Sequence, residues 1–217
     1  MNTIVYVDGF NLYYRALKGS PHKWLNLQAL CEASLPKHCK IVGINFYTAR
    51  ISSRVDPSSP RDQHIYLKAL QTIPGLQQHF GSFRVTDLFM YLDQPVVFRP
   101  AVEKLPDPAP RYARVVKSEE KGSDVNLGVH LVRDAFQGKF EHAAVITNDT
   151  DLVEPLRIVT EDAKLPVTLL TPTDQTAKSL RNVATYVRRI RNYLGVSQFP
   201  NPVVTPDGIV LAKPENW

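Results

Sequence analysis

Two short apolar runs, Ile4-Val5-Tyr6-Val7 and Ala143-Ala144-Val145-Ile146, each lead directly into an acidic segment. A run of this length, rich in β-branched residues at its first occurrence, is too short for a helix with one buried stripe. It reads instead as a strand covered on both faces, the kind found in parallel sheets. Asp8-Gly9 breaks the first run, and Thr147-Asn148-Asp149-Thr150-Asp151 follows the second. In open α/β sheets, ligands collect beyond the carboxyl ends of the strands, where the strand order reverses. A carboxylate just beyond a dry strand is poorly placed for a core and well placed for a site. If the two strands are central neighbours, Asp8 and Asp149 converge.

The rest of the chain alternates strand and helix signals. Trp24 to Leu35 carries Leu27, Leu30, Cys31 and Leu35 at helical spacing and is closed by Pro36. Ile41 to Tyr47 is a second buried strand. Asp62 to Ile73 is a helix set between Pro60 and Pro74-Gly75. From Phe83 to about Lys117 the pattern changes to two alternating stretches separated by Pro95, Pro100, Pro106, Pro108 and Pro110, the signature of an inserted hairpin or flap. Ser123 caps a helix reaching Phe136, with Val125, Gly128, Val129, Val132 and Phe136 expected to face inward. His142 to Thr147 is a strand, Asp151 to Glu161 a helix, and Pro166 to Leu170 another strand. A helix from about Thr176 and an edge strand at Val187 to Ile190 follow. Val196 to Trp217 holds four prolines and reads as an irregular wrap or partly disordered tail. This alternation predicts an α/β fold with a mainly parallel central sheet and helices on both faces. The expected organisation is one domain over residues 1–193, an insertion at about 84–116, and a Pro-rich tail over 194–217.

Crowded aspartates repel, and an ionised cluster in a confined space needs a counter-charge. Mg²⁺ or Mn²⁺ supplies it, because hard cations prefer oxygen ligands. A third acidic segment, Glu119-Glu120-Lys121-Gly122-Ser123-Asp124, puts Asp124 in the first turn of its helix. Taken alone, that carboxylate reads as a helix-start residue favoured by the dipole. Cys31 and Cys39 lack zinc-ligand spacing, and the six histidines show no paired spacing. A net charge of +5 and a pI near 9.2 permit a phosphate-backbone partner without requiring one. No apolar run approaches membrane-spanning length, and the first strand ends too soon for a signal peptide, so a cytoplasmic protein with no membrane partner is expected.

Three blocks, Val7-Asp8-Gly9-Phe10-Asn11-Leu12, Glu120-Lys121-Gly122-Ser123-Asp124 and Thr147-Asn148-Asp149-Thr150-Asp151-Leu152, together resemble the signature blocks of NYN domains. These belong to the PIN-like nuclease superfamily, and the resemblance covers roughly Thr3 to Ile190. It implies a Rossmann-like three-layer fold and a Mg²⁺- or Mn²⁺-dependent nuclease, usually of RNA. By that match Asp8, Asn11, Asp124 and Asp149 are the catalytic candidates, and Asp8, Asp124, Asp149 and Asp151 the metal ligands. Many members carry serine-glycine-aspartate where this chain has Thr147-Asn148-Asp149. Thr147 keeps the hydroxyl, while Asn148 replaces glycine next to the expected metal.

Around this centre, Arg15, Arg50, Arg54, Lys121, Thr147 and Asn148 are candidate substrate contacts, with Lys18 and Lys117 nearby. Tyr13, Tyr14 and Tyr47 lie among them, where an aromatic face can stack a base, although each is more simply a half-buried tyrosine. Glu119 and Glu120 read as a solvated pair. The expected function is a metal-dependent RNA endonuclease acting on single-stranded RNA, the alternative a non-catalytic nucleic-acid-binding module. Val7-Asp8-Gly9 also evokes a haloacid dehalogenase-type strand end, but Phe10 stands where such enzymes need a second aspartate. The apolar residues of the insertion leave room for a homo-oligomer.

Overall fold

The computed structural model describes residues 1–51, 59–92, 111–215 and 217. In chain order its main strands are β1 (Asn2–Asp8), β2 (Lys40–Thr48), β3 (Leu76–Phe80), β4 (Ser82–Tyr91), β5 (Tyr112–Lys121), β6 (His142–Ile146), β7 (Val167–Thr171) and β8 (Tyr186–Arg189). The helices are α1 (Gly9–Leu12), α2 (Leu27–Ser34), α3 (Ser59–Leu70), α4 (Ser123–Phe136), α5 (Val153–Arg157) and α6 (Lys178–Val183). Six strands form one sheet in the order β3-β2-β1-β6-β7-β8, and every pairing in it is parallel. The order runs outward in both directions from β1 and β6, so the switch point lies between the two strands whose ends carry the aspartates.

Helices on both faces produce two cores. Val5 and Val7 face Trp24, Leu27, Leu30 and Leu70 on one side. Tyr6, Ala143 and Val145 face Leu127, Leu131 and Leu156 on the other. All five residues of β6 and all five of β7 are buried. That is why these strands read as continuous apolar runs and not as alternating ones.

Several expectations need correction. The helix expected from Trp24 begins at Leu27, with the Asn26 side chain accepting from the Ala29 N–H, because Asn is a far better cap than Trp. On α4 the inward stripe is Leu127, Gly128, Leu131 and Ala135; Val125, Val129 and Phe136 are exposed. Of the expected stripe Gly128 is buried and Val132 packs partly against the core, while the leucines one step round the helix make the main contact. Strand β3 has mixed side chains (Leu-Gln-Gln-His-Phe) at a sheet edge, so its sequence carries no buried-strand signal. The segment after Asp149 is a 3₁₀ turn, the five-residue α5 and a π turn in succession, where one helix was expected.

The insertion is an antiparallel hairpin with Ser82 opposite Lys121 and Tyr91 opposite Tyr112. The proline-rich stretch between its strands, with Arg99 and Lys104, lies outside the described residues. The C-terminal residues wrap as expected but are not loose: Phe199, Val203 and Leu211 are buried in the main core, and short strands β9 (Val203–Val204) and β10 (Val210–Leu211) pair there. Among the described residues no helix is long and apolar enough to cross a membrane.

Candidate active site

Asp8 is the last residue of β1 and the N-cap of α1, its Oδ1 accepting from the Asn11 N–H at 2.9 Å. This sharp strand-to-helix turn demands Gly9, since a Cβ there would stand 2.6 Å from the Tyr47 carbonyl oxygen. The second Asp8 oxygen accepts from the Thr147 hydroxyl at 3.0 Å. The same hydroxyl accepts from the Asp149 N–H, also at 3.0 Å. Thr147 thus ties the two strand ends together across the switch point. It is fully buried, and its hydroxyl is engaged between the two aspartates.

Asn11 has a comparable part. Its Oδ1 accepts from the Asn148 N–H at 2.9 Å, bracing the first helix against the loop after β6. The Asn148 side chain turns away, accepting from the Ala177 N–H at 2.9 Å and donating to the Gln175 carbonyl at 3.4 Å. The asparagine that stands in place of glycine therefore staples the approach to α6.

An open cavity of about 340 Å³ is lined by Asp8, Asn11, Arg15, Glu120, Asp124 and Asp149, with Phe10, Tyr14 and Ser123 completing its wall. Five of the expected site residues meet here: Asp8, Asn11, Asp124, Asp149 and Arg15. Asp151 does not line this cavity; it is exposed, and its N–H donates to Asp149 Oδ1 at 3.1 Å. Arg50 stacks over the Phe80 ring at 5.1 Å and does not line this cavity. Lys121 is paired with Glu119 at 3.4 Å and also lies outside the lining. Arg54 falls outside the described residues.

Glu120, which reads in the sequence as half of a solvated pair, lines the cavity. Its Oε1 accepts from the Ser123 N–H at 3.0 Å and so caps α4, whose N-cap position is Gly122 at φ 95° with no side chain to offer. The signal was an acidic residue three positions before a Ser-Asp helix start. It was masked by the neighbouring Glu119, which is ion-paired with lysines on both sides.

Electrostatically the centre is under tension. Burial pushes the Asp8 carboxyl up to about 6 against the pull of its Asn11 and Thr147 hydrogen bonds, and the nearby Asp149 and Asp124 push it the same way. The lining donors are carboxylate oxygens and one carboxamide, a set suited to a hard divalent cation with water completing its shell. Among the described residues no three acidic, histidine or cysteine groups already stand close enough to clasp one ion, so water-bridged or rearranged ligation is what this geometry accommodates. Asp8, Asp149 and Asp124 are the residues that would hold it.

Residues 2–191 match the NYN domain family. The chain belongs to that family. It is also 30% identical, across all of its own length and 75% of the relative's, to 6-hydroxy-3-succinoylpyridine 3-monooxygenase HspA of Pseudomonas putida. A crystal structure of a protein of unknown function from Vibrio parahaemolyticus superposes with a TM-score of 0.54 at 15% identity, covering 88% of this chain and 94% of that one. That likeness speaks to the three-layer fold. Family membership places the chain in the nuclease-like superfamily.

Proposed function

We propose that this NYN protein is a metal-dependent nuclease that cuts single-stranded RNA at the cavity between the β1 and β6 strand ends. The observation that carries the reading is the convergence of Asp8, Asp124 and Asp149, from three distant segments, on one open cavity at the sheet's switch point. A bound Mg²⁺ or Mn²⁺ would supply charge neutralisation and a water of lowered pKa. The chain's own residues do the rest. Thr147 holds Asp8 and Asp149 in fixed relation, and Asn11 fixes the loop that carries Asp149. Arg15, exposed at the rim, is placed to receive a phosphate.

The test is cleavage of a single-stranded RNA by purified protein with Mn²⁺, stopped by EDTA. Asp8→Asn and Asp149→Asn should each lower the rate by roughly a hundredfold or more, because an amide keeps the shape and loses the charge that holds the cation. Arg15→Ala should chiefly weaken binding and flatten its salt dependence. Residual cleavage equal in wild type and Asp149→Asn would mark the activity as contamination and end the reading.

A second reading is favoured by one observation, the 30% identity to the monooxygenase along the whole chain. On it, the protein hydroxylates a substituted pyridine. Product formation from 6-hydroxy-3-succinoylpyridine in air with a reduced nicotinamide or flavin donor would support it over hydrolysis.

A further inference from the structure

Beyond the wall formed by Phe10 and Tyr14 lies a second cavity, also about 340 Å³, which the hydrolytic reading leaves without a task. It is a partly open cleft bordered by the helix after β1, by α3 and by the β4–β5 hairpin. Its surface is mainly carbon, and aromatic rings dominate it: Phe10, Tyr14, Phe46, Tyr66, Phe83 and Trp217. Lys23, Thr48, Asp62 and Ser118 give it a polar edge, while two further polar groups are engaged elsewhere. The Tyr66 hydroxyl donates to the Leu25 carbonyl at 2.9 Å. Gln63 donates to the Ala49 carbonyl at 2.8 Å and accepts from the Ile51 N–H at 3.0 Å.

The volume is informative. A dry cavity of about 150 Å³ accepts benzene, so this one has space for a six-membered ring with substituents or for a fused bicycle. The rings are already arranged for stacking. Phe10 meets Phe83 edge to face at 5.7 Å and 88°, and lies nearly parallel to Tyr14 at 6.5 Å and 21°. A flat guest gains dispersion and quadrupole contacts from such walls that an alkyl chain does not. Because Phe10 and Tyr14 border both cavities, a ring held here lies alongside the carboxylates.

We infer that this cavity is a binding pocket for a single flat aromatic or heteroaromatic ring, positioned by Phe10, Tyr14 and Phe83 so that a polar substituent points past Phe10 toward Asp8 and Asp149. The pocket stands on its own walls and does not depend on the acidic cavity cutting phosphodiesters. The ring has two chemical sources: a base of a nucleic-acid strand whose phosphate sits at the acidic cavity, or a free heteroaromatic molecule.

Trp217 on the wall provides the readout. Its fluorescence is titrated with 2-hydroxypyridine, with adenosine and with octanoate, in wild type and in Val116→Phe, which pushes a ring into the cavity from the hairpin. Melting curves confirm that the variant folds; Val85→Phe is the second variant if it does not. The expected result is saturable quenching by at least one ring compound, none by octanoate, and affinity reduced roughly tenfold or more in the filled variant. Competition by a short oligoadenylate, weakened when one base is removed, assigns the pocket to a nucleic-acid base. Quenching by 2-hydroxypyridine that the oligonucleotide does not displace assigns it to a free heteroaromatic. Absence of saturable quenching by either ring, equal binding of octanoate, or indifference to both filling variants overturns the inference. Cleavage assays on the same variants are read separately, so loss of the nuclease reading and loss of the pocket are distinct results.

Discussion

At neutral pH the Asp8 carboxylate is ionised in a place that disfavours its charge, since burial raises its pKa to about 6 from an ordinary 3.8. A carboxyl that holds its proton more tightly when folded imposes no penalty below the unfolded value. The penalty grows through the interval and is complete above about 6. Asp8→Asn should therefore stabilise the metal-free protein above pH 7 by something on the order of 2–3 kcal/mol, and the advantage should vanish near pH 4. Asparagine still offers an oxygen to the Asn11 N–H, so the cap survives. Thermal melts of both proteins across this range give the answer; a constant offset would mean that desolvation is not what burdens Asp8. At this scale the sequence was most readable where backbone position alone decides. Asp8 and Asp149 follow dry strands, and their placement needs no side-chain detail. The bracing by Thr147 and the cap from Glu120 rest on contacts across the chain or across a turn, which local pattern does not encode.

Among the elements, β6 is linked to both neighbours, beyond its ladder hydrogen bonds, through one buried side chain. His142 hydrogen-bonds Thr3 on β1 at 3.0 Å and Thr168 on β7 at 2.8 Å, and burial pushes its pKa down to about 4. A histidine kept neutral by folding contributes stability that is present above its unfolded pKa of 6.5 and is lost as the pH falls toward the folded value. His142→Asn should lower the melting temperature at pH 7.5 and flatten the acid loss between pH 6.5 and 4. This loss runs opposite to the Asp8 effect over an overlapping window, so differences between variant and wild type carry the test, not the raw curves. The hairpin offers another check. Its register is closed by the Leu92 N–H donating to the Arg111 carbonyl at 2.8 Å. An Asn-Gly turn in place of residues 93–110 therefore joins strands already paired. The melting temperature should change little while substrate preference shifts; failure to fold would make the excised residues part of the core. The hairpin was legible from alternation and prolines. The α4 stripe was not, because its exposed Val125, Val129 and Phe136 are as apolar as the leucines that pack.

For the molecule as a whole, the α/β class followed from short apolar runs alternating with helical spacing, but the strand order is a non-local property that composition and periodicity do not contain. The C-terminal residues show the same limit. Proline content leaves open an irregular wrap or a partly disordered tail, and the packing is a wrap: Trp24 packs against Phe199 at 5.8 Å and Trp217 at 6.5 Å, and Tyr66 against Trp217 at 5.3 Å. The backbone is tied in as well: the Phe199 N–H donates to the Trp24 carbonyl at 2.9 Å, and the Trp24 indole donates to the Pro200 carbonyl at 3.0 Å. Removing residues 199–217 would uncover a buried tryptophan and tyrosine and take away Phe199, Val203 and Leu211. At about 1.5–3 kcal/mol for each large apolar side chain, that loss rivals the 5–15 kcal/mol holding an ordinary domain together. The truncated protein should therefore fail to show a cooperative melt, and a sharp transition near the wild-type temperature would mean that the wrap is dispensable. Trp217→Ala is the graded version. Trp217 is only partly buried, so the variant should fold and lose roughly 1–2 kcal/mol, less than for a fully buried tryptophan. Denaturant midpoints at unchanged m-value would confirm that stability moved and the folded state did not.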